Sequence, residues 1–380
     1  MFQNCIFSIL TMKTLLLALV CFSTFASFGQ DSLRSQKIKE VSVSHSRKKE
    51  IAFKDSRFYI MDFHIDSNGT FLLLTRFKKY YLYLLDSDMN LKVKKNITFH
   101  PKSLFLDCTG ALHLFTKDSM FRIEKSADTL LFTEKKSLDL YKYYFRDCEA
   151  SNDVGLIFKT VKNYSQTTDY YQIENYSKFN MDVYVITDSS LVRGARETEA
   201  EIKKEEFRLR RKYSRSVGTR APTWEDQTQE GQLRNDKSSE IQRHLDKRRF
   251  YGQFVLRPYY NPLFIRDDTT FIFDHVNGEM VRMTMEREVL DKSPINYHNE
   301  NHWKGEMQLD GKRDVFYSIE EKHGAQIFGR LSLETGEINR KTKITKHAYP
   351  EKVIVYNGFA YYVYRQFVDD NLNKLFRQRI

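Results

Sequence analysis

The residue groupings that invite metal or acid–base chemistry are few, and each is incomplete. His298-Asn299-Glu300-Asn301-His302 sets two imidazoles four residues apart, a spacing that on a helix would put both on one face and let them ligate zinc. No third ligand accompanies them, and no Glu directly follows the first His, as the zinc-protease order requires. Asp86-Ser87-Asp88-Met89-Asn90 resembles the first half of a calcium loop. Its sixth position is Leu91, not the Gly that makes the turn, and its twelfth is Ile97, not the bidentate acid. It reads as a polar hairpin turn. Cys108 and Cys148 follow Asp107 and Asp147, at matching places one repeat apart. A disulfide needs their Cα atoms within about 7 Å; a bridge and two buried free thiols both fit. There is no Gly-x-Ser-x-Gly elbow, no Gly-rich phosphate loop and no Cys–His metal spacing. The sequence therefore assigns no catalytic, cofactor-binding or metal-ligating residue and implies no cofactor.

The elements that would position such residues come from a repeat. An apolar strand ends in Asp or Asn, a tight turn follows, and a second apolar strand begins. The copies centre on Asp66, Asp107, Asp147, Asp267, Asp310 and Asn357. The third copy reads Tyr144-Phe145-Arg146-Asp147 as its first strand, before Gly155-Leu156-Ile157-Phe158. Neighbouring copies lie 40–47 residues apart except across one long gap. Third strands follow, such as Tyr80-Tyr81-Leu82-Tyr83-Leu84, and then more polar fourth strands, such as Leu91-Lys92-Val93-Lys94. A period of this length with four strands per unit is that of a propeller blade, and polarity rising toward the last strand fits a wet outer edge. The recurring acid could ring a channel with carboxylates. Asp and Asn also favour tight turns by bonding their own backbone, and that reading covers all six copies.

The expected fold is all-β: a six-bladed propeller of four-stranded blades over 36–380. The last unit runs out of chain after its third strand, near Lys374-Leu375-Phe376-Arg377-Gln378. The alternating Ile38-Lys39-Glu40-Val41-Ser42-Val43 is expected to supply the missing strand and so close the ring, removing an exposed sheet edge. The long gap holds a charged insertion, 195–249. Within it Glu197 to Tyr213 reads as helix, Ser214 to Gly231 as loop, and Leu233, Ile241 and Leu245 suggest a second helix.

Composition sets wider bounds. Apolar residues make up 41% of the 380 and aromatics 14%, enough to build a core and to exclude wholesale disorder. The net charge of +11 is spread along the chain, so it reads as a solvated exterior and permits an anionic partner. Residues 1–29 read as a secretory signal: Met12-Lys13, an apolar run from Leu15 to Ala26, then Ser27 and Gly29 before a cut at Gln30. Met12 is the better start. No later stretch is long and apolar enough to span a bilayer as a helix.

The blade pattern, with Tyr361-Tyr362-Val363-Tyr364 and Leu375-Phe376 near the end, resembles exported six-bladed propeller proteins of uncharacterised function from Gram-negative bacteria. The resemblance is architectural and transfers no active site. Ile38 to Val43 also resembles, weakly, the segment opening TonB-dependent receptors, whose plug and barrel are absent. The expected function is a non-catalytic binding or scaffold module in the periplasm or at the outer cell surface, meeting a protein or glycan partner. Expected contact regions are 195–249, Asn163 to Tyr176 and Tyr259-Tyr260. A glycan- or peptide-acting hydrolase or lyase with its site at the channel mouth, and a binder of anionic polymer, are the alternatives.

Overall fold

The computed structural model describes residues 43–44, 50–53, 55, 57–174, 180–214, 256–345, 347–365 and 373–380, with the single positions 242, 246 and 250. The expected leader, residues 38–42 of the expected closure strand, and the loop and most of the second helix of the insertion lie outside the described residues.

Two short strands come first, β1 (Val43–Ser44) and β2 (Glu50–Ile51). Blade one is β3 (Tyr59–Asp66), β4 (Gly69–Arg76), β5 (Lys79–Leu85) and β6 (Leu91–Ile97). Blade two is β7 (Ser103–Leu106), β8 (Leu112–Phe115), β9 (Ser119–Ser126) and β10 (Thr129–Ser137). A short helix, α1 (Leu138–Tyr144), leads into blade three: β11 (Cys148–Ser151), β12 (Gly155–Lys162), β13 (Thr167–Glu174) and β14 (Asn180–Thr187). Helix α2 (Ser189–Ser214) follows. Blade four is β15 (Leu263–Arg266), β16 (Thr269–Asp274), β17 (Glu279–Thr284) and β18 (Val289–Pro294). Blade five is β19 (Trp303–Asp310), β20 (Val315–Lys322), β21 (Ala325–Leu331) and β22 (Ile338–Lys343). Blade six is β23 (Glu351–Tyr356), β24 (Phe359–Tyr364) and β25 (Lys374–Arg379).

Each blade is an antiparallel meander, and the chain is a six-bladed β-propeller. The sequence pattern explains the strand order within a blade. In β4 every residue from Thr70 to Leu74 is buried, as a strand covered by sheets on both faces must be. In β6 Val93 and Ile97 are buried while Leu91, Lys92, Lys94 and Asn96 are exposed, which is the pattern of an outer strand. Five apolar clusters each join two consecutive blades. One unites Phe71, Leu73 and Leu84 of blade one with Leu104, Leu114 and Leu130 of blade two. Comparable clusters fill the seams between blades three and four, four and five, five and six, and six and one. Each fully buried leucine among them contributes roughly 1.5–3 kcal/mol relative to exposure.

The ring closes through an N-terminal strand, but not the expected one. Glu50 pairs with Arg377 and Ile51 with Phe376, so β2 is the fourth strand of blade six. Val43 and Ser44 instead pair in parallel with Lys341 and Thr342 of β22, as a fifth strand on blade five. The third repeat is also displaced from its expected place. Leu138–Tyr144 is helix, capped by the Ser137 side chain, and Phe145 closes it. The first strand of blade three starts at Cys148, and its turn residue is Asn152. The insertion helix begins at Ser189, six residues before the expected boundary and eight before Glu197.

Candidate functional site

The recurring acids are engaged with backbone. Asp66 accepts from the Asn68 N–H (2.7 Å), and Asn152 accepts from the N–H groups of Val154 and Gly155 (3.1 and 2.8 Å). Asp107 accepts from Thr109 and Ala111 N–H (both 2.9 Å) and meets His113 Nε2 at 2.7 Å. Burial disfavours its charge, yet the bonds from His113, Thr109 and Ala111 outweigh that and hold its carboxyl below the usual range. Asp310 reaches across a seam: its carboxylate accepts from Asn357 N–H (2.7 Å) and Gly358 N–H (2.6 Å) at the first turn of blade six. Asp267 sits at its turn with φ 50°, a conformation Asp tolerates. The exceptions are Asp267 and Asp147, exposed residues paired with their neighbours Arg266 and Arg146. Asp62, outside the repeat motif, ties the ring twice: it accepts from Leu104 N–H (2.7 Å) and pairs with Lys352 (2.5 Å).

The grouped residues read from sequence fare differently. In Asp86 to Asn90, the Asp86 carboxylate accepts from Asp88 and Asn90 N–H (2.9 and 2.8 Å), and Met89 has φ 67°, which makes it a hairpin turn between β5 and β6. His298 and His302 do not share a helical face, because only Tyr297–Asn299 forms a single 3₁₀ turn. His298 packs against His275 and Trp303 in an aromatic cluster with Tyr260 and Tyr297. In that cluster His275 is buried, with Nδ1 on the Tyr260 carbonyl and Nε2 2.9 Å from the Tyr297 hydroxyl. Burial pushes His275 down to about 4 and Tyr260 up to about 12. Cys108 and Cys148 are joined in a disulfide, Cα atoms 5.8 Å apart. Their places are not equivalent: Cys108 lies in a turn, and Cys148 opens β11.

Three expected contact regions converge at one end of blade three. The β12–β13 turn places Asn163, Tyr164 and Ser165 at φ 50°, 61° and 67°, a run that non-glycine residues hold only when neighbours fix it. The fixing contacts are visible. The Tyr164 hydroxyl donates to Glu199 of α2. Gln166 Nε2 donates to the Arg257 carbonyl (3.1 Å), and Asp188 N–H to the Gln166 carbonyl (3.0 Å). Asp188 caps α2 by accepting from Leu191 N–H (2.9 Å), and its other oxygen accepts from the Tyr259 hydroxyl (3.2 Å). Burial opposes the charge of Asp188, but these bonds with Ser190's hold its carboxyl below the ordinary value. Val192, Ala195 and Ile202 form the buried stripe of α2, while Phe207 is 64% exposed.

Two further features were not legible. Glu149, on the innermost strand of blade three, faces Lys159 at 3.8 Å, and Lys159 also donates to the Asn261 carbonyl (2.9 Å). Burial raises the Glu149 carboxyl and lowers the Lys159 ammonium. Asn261 is itself buried and bonds Thr168 and His275 N–H, locking blade three to blade four. Among the described residues, two cavities open at blade seams. One of about 590 Å³, between β2 and blade one, has mixed walls that include Glu50, Phe53, Asp55, Tyr83, Asp88 and Arg377. The other, about 360 Å³ between blades five and six, carries Arg313, Arg330, Arg340 and Arg379. These arginines stand in four different strands or turns, so no local motif announces them.

No known protein family and no curated protein matches the chain. Solved structures do. A luciferin-regenerating enzyme is 8% identical over 88% of this chain and 95% of its own, with a TM-score of 0.36. Regucalcin from Agrobacterium tumefaciens, a calcium-binding protein, is 9% identical over 89% of this chain and 95% of its own, also at 0.36. Virginiamycin B lyase from Staphylococcus aureus is 8% identical over 88% of this chain and 99% of its own, at 0.30. Similarity this distant transfers no site, and the propeller assignment stands on the six sheets of the chain itself.

Proposed function

We propose that this chain is an exported propeller that works as a non-catalytic binding or scaffold module in the cell envelope, in the periplasm or at the outer surface. The observation that carries the reading is the convergence at blade three. Segments up to 91 residues apart in sequence are tied together there by hydrogen bonds, and they anchor the first half of the charged helix α2, which carries an exposed Phe207. Loops and projections held by a rigid scaffold are where binding residues concentrate. The signal pattern over 1–29 supports export, and the Cys108–Cys148 bridge suits an oxidising compartment. The partner is a protein, met by the exposed face of α2.

The test places a photocrosslinking residue at Phe207 and, separately, at Leu131, an exposed apolar position on blade two, in the full chain expressed in its host. One saturable crosslinked species from position 207 alone is the expected result. Equal crosslinking from both positions, or none from 207, overturns the face. A purified mature chain that starts before residue 20 overturns export.

The hydrolase or lyase reading draws on Glu149, whose raised carboxyl beside Lys159 has the form of a general acid. It needs a second carboxylate converging on the same space, and Glu149→Gln is the variant that would silence it.

A further inference from the structure

The cavity between blades five and six is built from like charges. Tyr317, Arg330 and Arg340 are directly opposed across three neighbouring strands: Tyr317 of β20 faces Arg330 of β21, which faces Arg340 of β22. Directly opposed residues share a sheet face, so the three side chains form one row, and that row lines the cavity together with Thr342. Arg379, at the end of β25, and Arg313, in the first turn of blade five, complete the wall. Opposed like charges destabilise a sheet. Among the described residues no salt bridge joins Arg313, Arg330 or Arg379 to a carboxylate, and the acid that acts on Tyr317 in this row, Asp310, leaves the arginines in excess.

Arg313 is held in place. Arg313 leads a turn fixed by Arg313 N–H and Asp314 N–H on the Asp310 carbonyl (3.1 and 2.8 Å). The Asp310 carboxylate in turn accepts from Asn357 and Gly358 N–H of blade six. Gly358 has φ +73°, and a Cβ there would lie 1.9 Å from the Arg313 guanidinium. The guanidinium therefore rests against the bare glycine backbone, at the seam. Tyr317 is buried to 4% exposure, and burial and the Asp310 carboxylate raise its hydroxyl despite three nearby arginines, so it stays protonated and able to donate.

We propose that this cavity binds a soluble ligand bearing compact phosphate or sulfate groups with two or more negative charges. Planar guanidinium forks match such oxyanions in bidentate geometry, which a lysine ammonium does not. The volume, at the low end of ligand pockets, suits a diphosphate-sized group better than a long polymer. The site is independent of the blade-three face and of the protein partner proposed for it.

The experiment titrates inorganic pyrophosphate and, separately, sulfate into the full mature chain at constant ionic strength, by calorimetry. One saturable site is expected. Arg330→Gln and Arg379→Gln, both exposed positions that leave the fold intact by circular dichroism, each weaken it roughly tenfold or more, in line with loss of a charged hydrogen bond. Arg330→Lys keeps the charge but loses the fork and weakens it less. Arg193→Gln, which removes the same charge from α2, leaves it within about twofold. No saturable binding of either anion, or an equal loss in Arg193→Gln, overturns the proposal by showing only diffuse attraction of a basic chain. Vesicles of phosphatidic acid in phosphatidylcholine form the third arm. Failure to bind them supports a soluble source, and binding with the same dependence on Arg330 and Arg379 overturns it in favour of a lipid headgroup.

Discussion

Burial decides the chemistry of His275, and it gives the molecule an acid-sensitive point. The imidazole sits between the Tyr260 carbonyl and the Tyr297 hydroxyl, and its value is pushed down to about 4 from an ordinary 6.5. Between those two values the unfolded chain binds a proton that the folded chain refuses. Stability is therefore complete above about pH 6.5 and falls as the pH drops toward 4, by about 3 kcal/mol for a shift of this size. Urea unfolding followed at intervals from pH 7.5 to pH 4 should show that decline, and His275→Gln should flatten it by about one proton. An unchanged slope in the variant would place the acid sensitivity elsewhere, with His64 and His298, which burial also lowers, as the next to vary. His275 carries no sequence signal of its own, because its burial comes from Tyr260, Tyr297 and Trp303, brought in from two blades. Asp107 was legible as a turn residue. The bond from its carboxylate to buried His113 was not, although the two lie only six residues apart, since strand period alone does not say which side chain turns inward.

At the scale of the element, the first turn of blade six is the most constrained point near the arginine cavity. Asn357 and Gly358 have φ 49° and 73°, the two left-handed positions of a tight hairpin, where Asn-Gly is the preferred pair. Gly358→Ala adds a Cβ to a left-handed position, at a cost of about 1–2 kcal/mol, and the new atom falls on the Arg313 guanidinium. Because that guanidinium ends a flexible side chain, it moves aside rather than unfolding the blade. The expected outcome is a modest loss in thermal stability with a larger, separate loss of pyrophosphate affinity; equal affinity in variant and parent would mean that Arg313 does not need its seat on Gly358. This turn could be read from the sequence, as could most strands, because alternation and turn residues are local. The misplaced elements share a cause. Ile38 to Val43 alternates well and so attracted the closure role, whereas β2 is two exposed residues held by pairing with β25 and by Glu50 on Arg377 (2.9 Å), too short to show any period. Tyr144 to Asp147 matched the repeat's apolar-then-acid pattern, but a short apolar run does not distinguish a strand from the end of a helix, and the Ser137 cap decided for the helix.

Across the whole molecule, a closed ring is as strong as its weakest seam. Five seams carry an apolar cluster that spans both blades. Between blades two and three the described residues show instead a disulfide, Cys108 to Cys148, while an aromatic trio of Phe105, Phe115 and Tyr141 packs blade two against α1, the helix that leads into blade three. The covalent link thus lies where apolar cover is thinnest. The bridge closes a loop with a sequence separation of 40, and the chain-entropy relation gives such a loop about 4 kcal/mol. For a domain of this size that corresponds to a fall of roughly 5–10 °C in Tm on Cys108→Ser/Cys148→Ser or on full reduction. The loss should also be local before it is global. Hydrogen exchange should quicken first in β7, β8 and β11, the strands that flank the bridge, while β20, β24 and the other strands behind intact apolar seams stay protected at temperatures well below Tm. Uniform acceleration across all six blades would mean that the bridge stabilises the ring only through the unfolded chain. An unchanged Tm would mean that the aromatic trio and α1 already hold the seam without it.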